Sequence, residues 1–99
     1  MRVTVVRGGG VAGITVTTTL DTADLDEPAG ADLRSRVAAC RLADRAPTSR
    51  PDGVRVALCV DDDGVVTRVR FDEHDAPEGA ADLVGAVLDS PAARRTVGR

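Results

Sequence analysis

The sequence predicts an α+β domain in which a four-stranded antiparallel sheet, built from two hairpins, packs against two helices in the order ββαββα. Two patterns lead to this prediction. Two pairs of segments alternate apolar and polar residues with a period of two, and a glycine-containing connection joins the members of each pair. Each pair is followed by a segment whose apolar residues recur with helical spacing. Helices that follow hairpins in this way pack on one face of the sheet.

The first hairpin is predicted from residues 3–7 and 14–20. The earlier segment is a short β-branched run, and the later one, from Ile14 to Leu20, alternates strictly, which is typical of a half-buried strand. Residues 8–13 between them are rich in glycine. They therefore predict a hairpin with a broad loop.

The first helix is predicted over residues 27–42. Asp26 is a suitable N-cap and Pro28 suits the first turn. Leu33, Val37 and Cys40 recur at helical spacing and form one apolar face. Residues 43–53 follow as a loop, because prolines, Asp and Gly in this segment disfavour a regular element.

The second hairpin is predicted from residues 54–60 and 65–71, joined by a turn that ends in Asp63-Gly64. A second helix follows over residues 78–89, and Ser90-Pro91 ends it. We expect residues 1–89 to form a single domain and residues 90–99 to be a frayed tail.

Composition excludes several classes of function. The net charge is −3, all 13 basic residues are arginines spread along the chain, and Phe71 is the one aromatic residue. Nucleic-acid binding is therefore not expected, since it usually needs a basic stripe and aromatic stacking platforms. No apolar run is long enough for a signal peptide or a membrane span. We expect a cytoplasmic monomer in which Cys40 and Cys59 are reduced.

The sequence contains the glycine spacing of a dinucleotide-binding fingerprint but not the helix that this motif requires. Gly8, Gly10 and Gly13 satisfy G-x-G-x-x-G after a strand, but that motif requires a helix to begin at its third glycine. Ile14 to Thr19 is a β-branched run that disfavours a helix. We interpret the glycines as residues that give the hairpin loop positive φ angles.

No catalytic or metal-binding set is predicted. The one histidine, His74, lies among Asp72, Glu73 and Asp75, without the further His or Cys ligands of a zinc site. No nucleophile has a base and an orienting group at a recognisable spacing. We therefore expect a protein that is not an enzyme and that has no metal or cofactor.

The segment Val5-Val6-Arg7-Gly8-Gly9-Gly10-Val11-Ala12-Gly13-Ile14 resembles the opening signature of emfourin-like proteins. The resemblance covers roughly residues 3–88, through Leu33 and Val37 of the first helix and through Val69-Arg70-Phe71 to Asp75-Ala76-Pro77. Two segments depart from the family pattern. Val11 stands where the family commonly has an aromatic residue, and Cys40-Arg41-Leu42 replaces an apolar-aromatic stretch.

The resemblance implies an inhibitor of a thermolysin-like zinc metalloprotease such as protealysin, acting by occlusion of the active-site cleft. The alternative is a small interaction or regulatory module with another partner. A blocking segment must be preorganised, and there are two candidates: the loop of residues 8–13, here called the glycine loop, and the loop of residues 47–51, here called the proline loop. Val11, Ile14 or Leu42 would fill the enzyme's pocket for a bulky aliphatic residue. The alternative is that the glycine loop is only a wide turn and that Ile14 belongs to the hydrophobic core. The predicted partner-binding residues are Arg7, Gly9, Gly10, Val11, Ala12, Gly13, Leu42, Pro47 and Pro51.

Overall fold

The computed structural model of the chain describes residues 1–9, 13–43 and 53–98. Five strands and two helices alternate along it, with a short 3-10 turn at Thr22–Asp24 before the first helix. In chain order the elements are β1 (Arg2–Gly9), β2 (Thr15–Asp21), α1 (Glu27–Ala39), β3 (Val54–Asp62), β4 (Val65–Asp72), α2 (Ala80–Asp89) and β5 (Arg94–Gly98).

All five strands belong to one antiparallel sheet with the order β4-β3-β1-β2-β5. Both predicted hairpins are confirmed, because β1 pairs with β2 and β3 pairs with β4. The pairing that joins the hairpins is β1 with β3, in which Val3 lies opposite Val60 and Val5 lies opposite Leu58. The first strand is therefore central, with both of its edges hydrogen-bonded.

The expectation of four strands is wrong, because residues 94–98 form β5 along the free edge of β2. These residues were expected to belong to a frayed tail. Arg94 and Arg95 interrupt any alternation of apolar residues, and every residue of β5 is exposed. The edge of β2 nevertheless offers unpaired backbone groups, and β5 satisfies them with Thr17 opposite Thr96. The α+β class holds.

The core lies between one face of the sheet and the two helices. Val3 and Val5 of β1 and Leu83 and Val87 of α2 are completely buried. The rest of the core comes from the same face of the neighbouring strands and from α1: Leu20, Leu33, Cys40, Val56, Leu58, Val60, Val69, Phe71 and Ala80. No helix covers the opposite face of the sheet among the described residues, whose two helices pack on the core side. None of the helices in the described ranges is long and apolar enough to cross a membrane.

Both helices are shorter than predicted because they meet at their ends. α1 ends at Ala39 and α2 begins at Ala80, where residues 42 and 78 were expected. Past the end of α1, the Arg41 amide donates to the Glu78 carbonyl at 2.7 Å. Gly79 caps α2 with φ of 78°. A Cβ on it would lie 2.8 Å from the Ala39 carbonyl oxygen, so only glycine fits this junction.

The junction between the helices gives a matched pair of variants. We expect Gly79→Ala to lower the free energy of unfolding by at least about 2 kcal/mol, since it combines a backbone clash with an unfavourable φ. Gly85→Ala, inside α2 with open space at its Cβ, should raise it by about 1 kcal/mol through helix propensity. Urea unfolding measures both. Equal effects of the two variants would contradict the close approach at Gly79.

A buried hydroxyl gives a second stability test. Thr18 of β2 is completely buried, and its Oγ1 has no hydrogen-bond partner among the described residues. Thr18→Val replaces this hydroxyl with a methyl group of similar shape, so we expect the free energy of unfolding to rise by about 1 kcal/mol. Destabilisation in the same urea titration would indicate that the hydroxyl is satisfied in solution.

Candidate partner-binding surface

The two loops proposed from the sequence leave the sheet at the same end. Gly9, at the end of β1, lies opposite Val54, at the start of β3. The ideal position of a Cβ on Gly9 is 3.0 Å from the Gly53 carbonyl oxygen. The last described residue before the glycine loop is thus in contact with the first described residue after the proline loop. We call this end of the sheet, formed by residues 9, 13–15, 53–55 and 72–73, the loop end.

Two glycines that flank the first loop have positive φ angles. Gly9 has φ of 103° and Gly13 has φ of 63°, in the left-handed region that favours glycine. The residues that follow form strand β2 from Thr15 and no helix begins at Ile14. The helix N-terminus that a dinucleotide fingerprint requires is therefore not formed after Gly13. Of the three fingerprint glycines, Gly13 has the predicted positive φ, Gly8 is a residue of β1 without one, and Gly10 lies outside the described residues.

Ile14 is exposed at the loop end. It precedes β2, and 39% of its surface is accessible to solvent. The alternative that placed Ile14 in the core is therefore wrong. A β-branched aliphatic side chain presented to solvent beside a glycine loop is available to a partner, and this position was one of the three proposed for occupying an enzyme pocket.

Arg7 faces the helices instead of the loop. It lies on the same face of β1 as the buried Val3 and Val5, beside Phe71. Its Nε donates to a Glu73 carboxylate oxygen at 2.8 Å, and a terminal guanidinium nitrogen donates to the same oxygen. Both side chains are partly exposed, so the pair contributes at most about 1 kcal/mol. Its main effect is to hold the end of β1 against the segment that follows β4.

The acidic segment around His74 is also explained by ion pairs. Asp72 is buried and accepts a hydrogen bond from the Arg55 guanidinium at 3.0 Å. Glu73 is held by Arg7, and its amide donates to the Val54 carbonyl at 2.9 Å. The described residues contain no group of three or more His, Cys, Asp or Glu side chains that is placed to hold a metal ion. These carboxylates fasten the loop end to the sheet.

Leu42 lies at the base of the proline loop and is partly buried against the core. The neighbouring backbone is fixed by the bond from Arg41 to Glu78, and the Ala43 amide donates to the Arg41 carbonyl at 3.1 Å. Leu42 therefore anchors the start of the loop, in contrast to the exposed Ile14.

The structure thus brings four of the predicted partner-binding residues to the base of the two loops. Arg7, Gly9, Gly13 and Leu42 lie in described segments, while Gly10, Val11, Ala12, Pro47 and Pro51 lie outside the described residues. Sequence reasoning missed Glu73, since its contact with Arg7 joins residues 66 positions apart and no local pattern signals it.

The two cysteines lie on opposite sides of the sheet, and both are free. Cys40 caps α1 and is buried in the core, and this burial raises the pKa of its thiol. Cys59 is half-buried on β3, on the face opposite to the helices, opposite Thr4 and Arg68. Neither can bond to the other through the intervening sheet.

The environments of the cysteines predict different reactivities. At pH 8 we expect iodoacetamide to modify Cys59 in the folded protein at least ten times faster than Cys40, because the thiolate is the reactive form and access is required. Peptide mass spectrometry measures each rate. Both rates should become similar in denaturant. Faster modification of Cys40 in the folded protein would contradict the packing of α1.

Comparison with known proteins identifies the family of the chain. No curated protein and no solved structure matches the chain. The sequence model of the emfourin family matches residues 5–88, which span β1 to nearly the end of α2. The matched region therefore includes both hairpins, both helices and the whole of the loop end. A match over so much of its length means that this chain belongs to the emfourin family, a family of protease-inhibitor domains.

Proposed function

We propose that this protein inhibits a thermolysin-like zinc metalloprotease, and that its loop end occludes the active-site cleft of the enzyme. The chain supplies no metal of its own to this mechanism. Membership of the emfourin family supports an inhibitor of proteases. The observation that carries the proposed mechanism is the contact between Gly9 and Gly53, since it brings two loops to one end of a rigid sheet.

Rigidity at the base of the loops favours inhibition. Ordering a flexible loop on binding reduces affinity, so a blocking segment is most effective when its ends are already fixed. Gly9 is paired with Val54 of β3, and the other end of the proline loop is fixed through Arg41 and Glu78. The ion pair of Arg7 with Glu73 braces the same region from the helix side.

Two aliphatic residues of the first hairpin, Ile14 and Val11, are the proposed contacts for the cleft. Ile14 is exposed where β2 begins, and Val11 is the aliphatic residue inside the glycine loop. Thermolysin-like enzymes accept a bulky aliphatic side chain next to the scissile bond, and either residue has this chemistry. We assign Leu42, which packs against the core, to support of the proline loop.

The proposal is tested by inhibition of several thermolysin-like proteases, including any encoded beside the gene. We expect Ile14→Asp or Val11→Asp to raise the inhibition constant at least tenfold, because a carboxylate would be desolvated without a partner in the cleft. Val66→Asp is the matched control. Val66 is 47% exposed, but it lies beside the turn between β3 and β4, at the opposite end of the sheet. It should change the constant less than twofold.

Two results would contradict the proposal. If a large excess of the unmodified protein leaves the turnover of every such protease unchanged, the inhibitory function is wrong. If the protein inhibits but Val66→Asp weakens inhibition more than both loop-end variants, the function stands and the loop end is the wrong surface.

A further inference from the structure

The face of the sheet opposite to the helices has an unusual distribution of side chains. Two successive rows of residues cross it from β4 to β5, and their order follows from the strand register. In the first row Arg68 and Arg94 are the outer residues, and in the second Arg70 and Thr96 are. Between them, on the three inner strands, are only short uncharged side chains: Thr4, Val6, Thr17, Thr19, Ala57 and Cys59.

These two rows form a shallow trough with arginines along both sides. The six short residues are the floor of the trough, and Arg68, Arg70 and Arg94 are its walls. Two recesses of about 500 Å³ each lie on this face, one beside Arg94 and one beside Arg70. A solvated sheet face usually carries long polar side chains, which cover the strands. Here the floor of the trough has none.

The trough is positively charged although the chain has a net charge of −3. The side chains of Arg68 and Arg94 make no ion pair or hydrogen bond with another described residue. Asp21 and Asp24 line the recess beside Arg94, and Asp72 follows Arg70 on β4. Asp21 is 3.5 Å from the Arg2 guanidinium, and Asp72 is held by Arg55 at 3.0 Å. Acidic groups of a partner are thus the complement of these walls.

The width of the trough selects the form of the partner. Arg68 and Arg94 are four strand spacings apart, so their Cα atoms are separated by about 19 Å. An α-helix with its side chains is about 10–12 Å in diameter and fits between the two walls, whereas a single extended segment would leave much of the floor uncovered. The short floor residues let a helix approach the sheet closely.

We propose that the trough is a docking surface for an amphipathic helix of a protein partner, with acidic residues on both flanks and small or aliphatic residues facing the floor. A nucleic acid fits less well, because the face offers no aromatic ring for stacking and Phe71 is buried on the other side. The proposal is independent of the inhibitory function of the loop end.

The test uses a designed peptide as the probe. An acetylated helical peptide of alanine and leucine with glutamates on both flanks is titrated into the ¹⁵N-labelled protein, and amide chemical shifts are followed by NMR. We expect saturable shifts at Thr4, Val6, Thr17 and Ala57. The counterpart with lysine in place of every glutamate should produce none.

Charge-reversed variants locate the site. Arg68→Glu with Arg94→Glu should weaken binding at least tenfold, while Arg34→Glu, the same substitution at one position on α1 at the opposite side of the sheet, should alter it less than twofold. A well-dispersed spectrum shows that the double variant is folded, and Arg68→Gln with Arg94→Gln should give intermediate binding.

Three outcomes would overturn the proposal. One is the absence of saturable shifts with the glutamate peptide. Another is that the lysine peptide binds the unmodified protein, or the glutamate peptide binds the charge-reversed protein, as tightly as the glutamate peptide binds the unmodified protein. The third is tighter binding of an oligothymidylate at the same amides, which would indicate a nucleic-acid surface in place of a helix site.

Discussion

The antiparallel pairing of β1 with β3 joins two hairpins that would otherwise have separate edges. Val3 and Val5 of β1 are completely buried between the sheet and α2, and each such valine contributes about 1.5–3 kcal/mol through burial. Their positions fix the register, because a shift by one residue would move both side chains to the open face. The same register sets Gly9 beside Val54, so the packing of the core determines where the two loops meet.

The two faces and the two ends of the sheet have different chemistry as a consequence. The helix face is closed by α1 and α2, whose ends meet at Gly79, and ion pairs of Arg7 and Arg55 fasten the segment after β4 to the loop end. The opposite face keeps short side chains between arginines. One small domain therefore presents a loop surface suited to a cleft and a separate flat surface suited to a helix.

Much of this fold could be predicted from local patterns. Alternation and β-branched residues identified β1 to β4, and the cap at Asp26 placed the start of α1 correctly, with its side chain accepting from the Ala29 amide at 2.9 Å. Strand β5 was missed because Arg94 and Arg95 give it no alternation, and an edge strand exposed on both faces needs none. The meeting of the two loops could not be predicted, since it depends on which strands pair between the hairpins. The orientation of the Arg7 side chain could not be predicted either, because it depends on an ion pair with Glu73, which is distant in sequence.

The pairing of β1 with β3 can be measured directly by nuclear Overhauser effects between backbone protons of the labelled protein in solution. The account predicts cross-strand effects that join Arg7 to Val56 and Gly9 to Val54. Effects that instead join β1 to β4, or a register displaced by two or more residues, would separate Gly9 from Val54 and contradict the claim that both loops share one end of the sheet.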